Sequence, residues 1–119
     1  MKLLIVDDSL MMRKAVERSV AEKNFTIVGM AADGEEALRI FKETLPDLVT
    51  LDISMPKMDG ATCLAEMLKI KKDAKILMIT SQTDKHTSQD VLDKGAAGVL
   101  GKPFSPAKII EKIDEILNQ

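Results

Sequence analysis

Acidic, hydroxyl and basic side chains in this sequence stand directly after short apolar runs. The acids Asp7 and Asp8 follow the opening run "LLIV", and Asp52 follows "LVTL". Short apolar runs of this kind predict buried strands. Two adjacent carboxylates at the end of a strand repel each other and resist desolvation, so a nearby cation is needed to offset them. The residues that follow the predicted strands are Asp7, Asp8, Asp52, Thr80, Ser81 and Lys102.

This set of residues suits magnesium and phosphoryl transfer. Hard oxygen ligands with room for water are those that Mg²⁺ prefers. A carboxylate beside such an ion and a lysine can accept a phosphoryl group, because both cations neutralise charge on the transferring oxygens. Asp52 is the best acceptor, since it stands alone after a central strand, whereas Asp7 and Asp8 are better placed to hold the metal.

Five apolar runs alternate with five stretches of helical spacing. The runs cover residues 3–6, 26–31, 47–51, 75–79 and 98–100. Such alternation predicts an α/β fold, with a parallel sheet between two layers of helices. The third and fourth runs are apolar at nearly every position, as central strands covered on both faces should be. The carboxyl ends of parallel strands meet at one edge, where ligands bind.

Local signals place the ends of the predicted helices. Either Asp8 or Ser9 caps the first helix, and Asp33 caps the second. The third helix covers about residues 61–71, and the fourth covers about 85–94 and ends at Gly95. Ser105, followed by a proline, begins the last helix.

Composition restricts the class of protein. The chain has 119 residues, 45% hydrophobic and 30% charged, with a net charge of -2, which is typical of one soluble domain. Nothing indicates a basic face for nucleic acid, a secretory leader or a membrane span. Cys63 is the only cysteine, so no internal disulfide can form. We expect a cytoplasmic monomer, one domain over residues 1–119 with no output domain.

At the motifs that carry these residues, the sequence resembles the receiver domain of two-component response regulators. The matching segments are "LLIVDDS", "LDISMPKMDG", "MITS" and "GKPF", and the resemblance covers essentially the whole chain. Among receivers, the segments "VDDSLMMRK" and "VTLDISMPKMDG" are most similar to the stand-alone chemotaxis type, the CheY-like receivers. The resemblance implies a flavodoxin-like, five-stranded parallel sheet of order 2-1-3-4-5, with five helices on its two faces.

The resemblance also implies a role for each acid. Asp52 would be the phosphoacceptor. Asp8 and Asp52 would ligate Mg²⁺, Asp7 would act mostly through water, and the backbone carbonyl of Ser54 would complete the metal site.

Two further roles follow from the same resemblance. Lys102 would bind the phosphoryl group, and its peptide bond to Pro103 would be cis. Thr80 would bond a phosphoryl oxygen and draw in the loop after the fourth strand, which is the switching event. Val99 stands where many receivers carry an aromatic residue, and Ser54 and Gln82 occupy positions that tune phosphoryl lifetime in the family.

The predicted function is a switch that is phosphorylated by a sensor histidine kinase. It would assist its own phosphorylation and dephosphorylation without being an enzyme, and would act on a protein partner, by analogy the flagellar motor switch. The output surface would be the fourth helix, fifth strand and fifth helix. A phosphorelay intermediate that passes phosphoryl to a histidine phosphotransfer protein is an alternative. A small aspartate-nucleophile phosphohydrolase is another, but it would carry an acid where Ser54 stands.

Each site residue also has an ordinary structural alternative. The acid pair after the first strand could cap a helix, Asp52 and Thr80 could belong to turns, and Lys102 could lie in solvent. Elsewhere, packing explains Met30, Met67, Met78 and Cys63, and the lone His86 is expected in solvent.

Overall fold

The protein forms one parallel sheet with helices on both faces. The computed structural model describes residues 1–81 and 85–118, but not the side chains of residues 85 and 86. The elements are β1 (Lys2–Val6), α1 (Leu10–Ser19), β2 (Thr26–Ala31), α2 (Gly34–Thr44), β3 (Leu48–Asp52), α3 (Gly60–Ile70), β4 (Lys75–Thr80), α4 (Lys85–Asp93), β5 (Gly98–Gly101) and α5 (Pro106–Leu117). All strand pairs are parallel, in the order β2-β1-β3-β4-β5. The predicted fold class and strand order are confirmed.

Two apolar clusters hold the helices to the sheet, one on each face. Alternate residues of β1 supply both, because successive side chains of a strand point to opposite faces. Leu4 joins the cluster that contains Phe41 of α2 and Met67 of α3. Leu3 joins the cluster that contains Val16 of α1 and three isoleucines of α5. Every residue of β3 is buried, as expected for a central strand.

Three of the strands, β3, β4 and β5, reach one residue further toward the candidate site than the apolar runs that predicted them. β3 covers Leu48–Asp52, and not residues 47–51, because Asp52 still pairs with Ile79 in the β3–β4 register. Asp47 lies before the strand, where its carboxylate accepts a hydrogen bond from the Lys2 backbone N–H at 2.8 Å. β4 extends to Thr80, and β5 to Gly101. Polar residues at the site are therefore held by sheet hydrogen bonds.

Helix ends follow the predicted capping residues. Ser9, and not Asp8, caps α1, while Asp33 caps α2 and Ser105 caps α5. In each case the side chain accepts a hydrogen bond from the backbone N–H three residues later, at 2.9 to 3.3 Å. Gly95 follows α4 with a φ of 108°, the left-handed conformation that favours glycine.

The remaining predictions for single residues concern packing. Met67, Met78 and Cys63 are fully buried, and burial raises the pKa of the Cys63 thiol to about 12. Met30 is only partly buried, against the cluster on the α1 and α5 face. The predictions for Gln82 and for the His86 side chain fall outside what the structure describes. Across residues 1–81 and 85–118, no helix has the length and apolar character needed to span a membrane.

Candidate functional site

The carboxyl edge of the sheet gathers the predicted site residues. Asp7 follows β1 directly, and Asp52 and Thr80 are the last residues of β3 and β4. All three are buried, with at most 4% of their surface exposed. Asp8 is exposed beside them. Oxygen atoms of Asp7, Asp8 and Asp52 all lie within 4.8 Å of one another. The three acids were predicted to meet at one edge of the sheet, and the structure brings them together there, although Asp52 is distant from the other two in the chain.

Hydrogen bonds hold Asp7 at its backbone and its side chain. Its N–H donates to the Ala31 carbonyl of β2 at 3.1 Å, which extends the β1–β2 pairing. Its Oδ1 accepts from the Ser9 backbone N–H at 2.9 Å. Its carbonyl oxygen accepts from Arg13 Nη1 at 2.6 Å. The turn between β1 and α1 is thus fixed at the residue that begins the acid pair.

Lys102 supplies the cation that the acids require. Its Nζ lies 2.9 Å from Asp7 Oδ2 and 3.5 Å from Asp52 Oδ1, and 18% of its side chain is exposed. Its backbone N–H donates to the Thr80 carbonyl at 2.7 Å, which places the lysine beside the end of β4. The peptide bond between Lys102 and Pro103 is cis, as the family resemblance implied. The alternative of a solvated loop lysine does not fit these contacts.

The charges at this edge perturb one another. Burial raises the pKa of Asp52, the carboxylate of Asp7 raises it further, and the Lys102 ammonium opposes both. Burial lowers the pKa of Lys102, but the hydrogen bond to Asp7 and the charge of Asp52 outweigh that effect, so the net pKa is raised. Lys102 is therefore a firmly charged ammonium beside a carboxylate that ionises less readily than usual.

The loop after Asp52 is held close to the end of β3. The Ile53 N–H donates to the Ile79 carbonyl at 3.0 Å, and the Gly60 N–H donates to the Ile53 carbonyl at 2.8 Å. A Cβ at Gly60 would lie 2.4 Å from the Asp52 carbonyl oxygen, so only glycine fits there without a shift of backbone. Lys57, with a φ of 68°, places its Nζ 3.6 Å from Asp33 Oδ2 at the start of α2.

The donor set fits a divalent ion of the magnesium type. Asp7, Asp8 and Asp52 offer only carboxylate oxygens, which are the ligands that Mg²⁺ selects. Among the described side chains, Lys102 is the one ammonium that contacts these acids, and one positive charge does not neutralise three ionised carboxylates. Ser54, whose backbone carbonyl was the fourth predicted ligand, lies exposed two residues after Asp52. An anionic site of this kind can bind a divalent cation and present Asp52 as a nucleophile.

The sequence analysis did not identify two basic residues near the site, Arg13 and Lys57. Arg13 contacts the Asp7 carbonyl, and Lys57 pairs with Asp33. A signal for Arg13 was present, since it follows the capping Ser9 by four residues, one helical turn, and can reach back over the turn. No comparable signal marks Lys57, because its left-handed backbone depends on the shape of the loop.

Comparison with known proteins identifies the family. The response regulator receiver domain family matches residues 3–114. The chain belongs to this family. The receiver is similar to the chemotaxis protein CheY of Bacillus subtilis, with 37% identity over 117 residues that cover 98% of each chain. It is also similar to the chemotaxis protein CheY of Listeria monocytogenes, with 36% identity over 115 residues and 97% of each chain covered.

A solved structure gives the same relationship in three dimensions. The CheX–CheY–BeF₃–Mg²⁺ complex of Borrelia burgdorferi contains a chain that superposes on this receiver with a TM-score of 0.94 and 38% identity. The alignment covers 98% of the receiver and 88% of that chain. The fold is therefore CheY-like, in a family for which phosphorylation and Mg²⁺ binding are typical.

Proposed function

We propose that this receiver is a signalling switch whose Asp52 takes a phosphoryl group from the phosphohistidine of a sensor histidine kinase. The observation that carries the proposal is the constellation at the sheet edge. Asp52 Oδ1 lies 3.5 Å from the Lys102 ammonium. Carboxylate oxygens of Asp7, Asp8 and Asp52 all lie within 4.8 Å of one another. Membership of the receiver family supports the same chemistry.

In the proposed transfer, an oxygen of Asp52 attacks the phosphorus atom and the phosphorus–nitrogen bond of the phosphohistidine breaks. The electron pair of that bond returns to the imidazole, which leaves as a neutral ring after taking up a proton. Lys102 stabilises the charge on the phosphoryl oxygens. Asp8 and Asp52 would hold Mg²⁺, with Asp7 acting through water and the Ser54 carbonyl as a further ligand. The bound ion would neutralise phosphoryl charge.

The proposed switch uses the contacts of Lys102. In the unphosphorylated receiver its ammonium bonds Asp7 at 2.9 Å. A phosphoryl group on Asp52 adds negative charge nearby and competes with Asp7 for that ammonium. Because the Lys102 backbone bonds the Thr80 carbonyl, the competition acts on the ends of both β4 and β5. Thr80 would bond a phosphoryl oxygen, and the surface of α4, β5 and α5 would change.

The proposed output is contact with another protein in the cytoplasm. The CheY names of the relatives support a role in chemotaxis, with the flagellar motor switch as the leading target. The Borrelia burgdorferi complex supports protein contact as the mode of action, since CheY is bound there to CheX. Output through a partner, and not through a further domain of the same chain, stays a prediction, as does the monomeric state.

Acetyl phosphate labelling tests the acceptor. The wild-type receiver with Mg²⁺ should become phosphorylated, as intact-mass spectrometry detects, and Asp52→Asn should remain unmodified. Asp47→Asn is the matched control, because Asp47 precedes the same strand at the opposite edge of the sheet, and it should be labelled like the wild type. Full labelling of D52N would remove Asp52 as the acceptor. Capture of a motor protein by the beryllofluoride-loaded receiver alone would support the chemotaxis role, whereas capture of a histidine phosphotransfer protein would contradict it.

A further inference from the structure

Arg13 contacts the turn that carries two of the three acids. It lies on α1, and its Nη1 donates to the Asp7 carbonyl oxygen at 2.6 Å, in a partly buried contact. The helix itself is anchored to the same turn, because the Arg13 backbone N–H bonds the Ser9 carbonyl at 3.0 Å. The guanidinium therefore joins a rigid helix to the last carbonyl before Asp8.

That carbonyl determines the direction of the next residue. The Asp7 carbonyl and the Asp8 nitrogen and Cα belong to one planar peptide unit, so fixing the oxygen fixes the plane from which Asp8 departs. Among the residues that the structure describes, none forms a hydrogen bond or salt bridge with the exposed Asp8 carboxylate. Within the described structure no side chain fixes the Asp8 carboxylate, and Arg13 holds the backbone from which that carboxylate departs.

The positive charge of Arg13 and its hydrogen bond to Asp7 should have opposite effects on the affinity of the site for Mg²⁺. In the described part of the chain, its guanidinium has no carboxylate partner within 4.0 Å and bonds a neutral carbonyl. A free positive charge close to the acids repels a divalent cation. Removal of Arg13 would therefore strengthen Mg²⁺ binding if only its charge mattered, and would weaken it if the contact matters. The sign of the change separates the two.

We propose that Arg13 is a positioning residue of the phosphoacceptor site, which orients the Asp7–Asp8 peptide so that both carboxylates face Asp52. This inference rests on the proposed function of the site, because it concerns the ion that Asp7, Asp8 and Asp52 would hold. Through Arg13, helix α1 would therefore influence metal binding without contacting the ion.

Calorimetric titration of Mg²⁺ into the metal-free receiver tests the proposal. Arg13→Met keeps the apolar part of the side chain, and should raise the Kd about tenfold, as loss of a group that orients a ligand typically does. Lys14→Met is the matched control, since Lys14 is the next residue, is 55% exposed and pairs only with Glu17 at 3.9 Å in the described structure. It should leave the Kd within twofold of the wild type.

A second readout separates positioning from a general loss of stability. The amide resonances of Asp8 and Ser9 in the metal-free protein should move in R13M, while the circular dichroism spectrum stays that of a folded receiver. Arg13→Gln provides a second substitution. A Kd equal to or below the wild-type value in either folded variant would overturn the proposal. Absence of Mg²⁺ binding by the wild type would overturn it together with the proposed function, whereas a wild type that binds and is labelled leaves the proposed function standing.

Discussion

Thr50 offers a test of the energetics of the core that lies beneath the site. The residue is in the middle of β3 and is 1% exposed, and its Oγ1 has no hydrogen-bond partner within the described structure. Ile5 and Leu77 flank it in the sheet register, and both belong to the apolar cluster on the α1 and α5 face. We expect Thr50→Val to stabilise the receiver.

The expected size of the effect follows from two contributions. An unpaired buried hydroxyl costs about 1–3 kcal/mol in proteins. The methyl group that replaces it gains roughly 0.8 kcal/mol of burial, part of which is lost if the packing is imperfect. Together they predict a gain of about 1–4 kcal/mol in the free energy of unfolding, which corresponds to about 4 °C in Tm for each kcal/mol in a domain of this size.

Urea unfolding followed by circular dichroism measures the change, because the chain has neither tryptophan nor tyrosine for fluorescence. Thr44→Val is the control for the same substitution. The Thr44 hydroxyl bonds the Ile40 carbonyl at 2.7 Å, so T44V should lose about 0.5–1.5 kcal/mol instead. If T50V were no more stable than the wild type at an unchanged urea slope, the Thr50 hydroxyl would have to be satisfied, and the reasoning from the unpaired oxygen would fail.

Two further predictions concern titratable groups. Cys63, with a pKa of about 12, should react with Ellman's reagent at pH 8 far more slowly in the folded receiver than in guanidinium chloride, and equal rates would contradict its burial. Backbone N–H groups hold the pKa values of Asp33, Asp47 and Asp59 below their usual range. Their contribution to stability is therefore present above pH 4 and is lost as the pH falls further. Urea unfolding between pH 6 and pH 3 should show this loss, measured in the D52N background to remove the opposite effect of the raised pKa of Asp52. A flat profile would contradict it.

The fold and most of the site were predictable because they follow from periodicity and topology. Apolar runs predict which segments form strands, whereas the order of the strands came from the family resemblance. The parallel alignment of strands is enough to bring Asp7, Asp52 and Lys102 to one edge of the sheet. Helix caps were predictable for a similar reason, since a cap such as Ser9 bonds within its own turn.

Long side chains that bond the backbone of another segment could not be predicted in this way. Lys71 shows the difficulty: its Nζ donates to the Leu45 and Pro46 carbonyls, at 3.3 and 3.2 Å, from a different part of the chain. Such contacts depend on the distances between packed elements, and a pattern of residue types does not contain those distances.

The close approach of Gly60 to the Asp52 carbonyl has a consequence for how this receiver tolerates variation. A glycine contributes no charge, no hydrogen-bonding side chain and no nucleophile. Any side chain at this position would nevertheless push on the peptide of Asp52, the proposed acceptor. In a saturation mutagenesis screen scored on signalling, Gly60 should therefore tolerate substitution as poorly as the ionisable residues of the site. The reason would be that no side chain fits at this position, and not that glycine takes part in the chemistry.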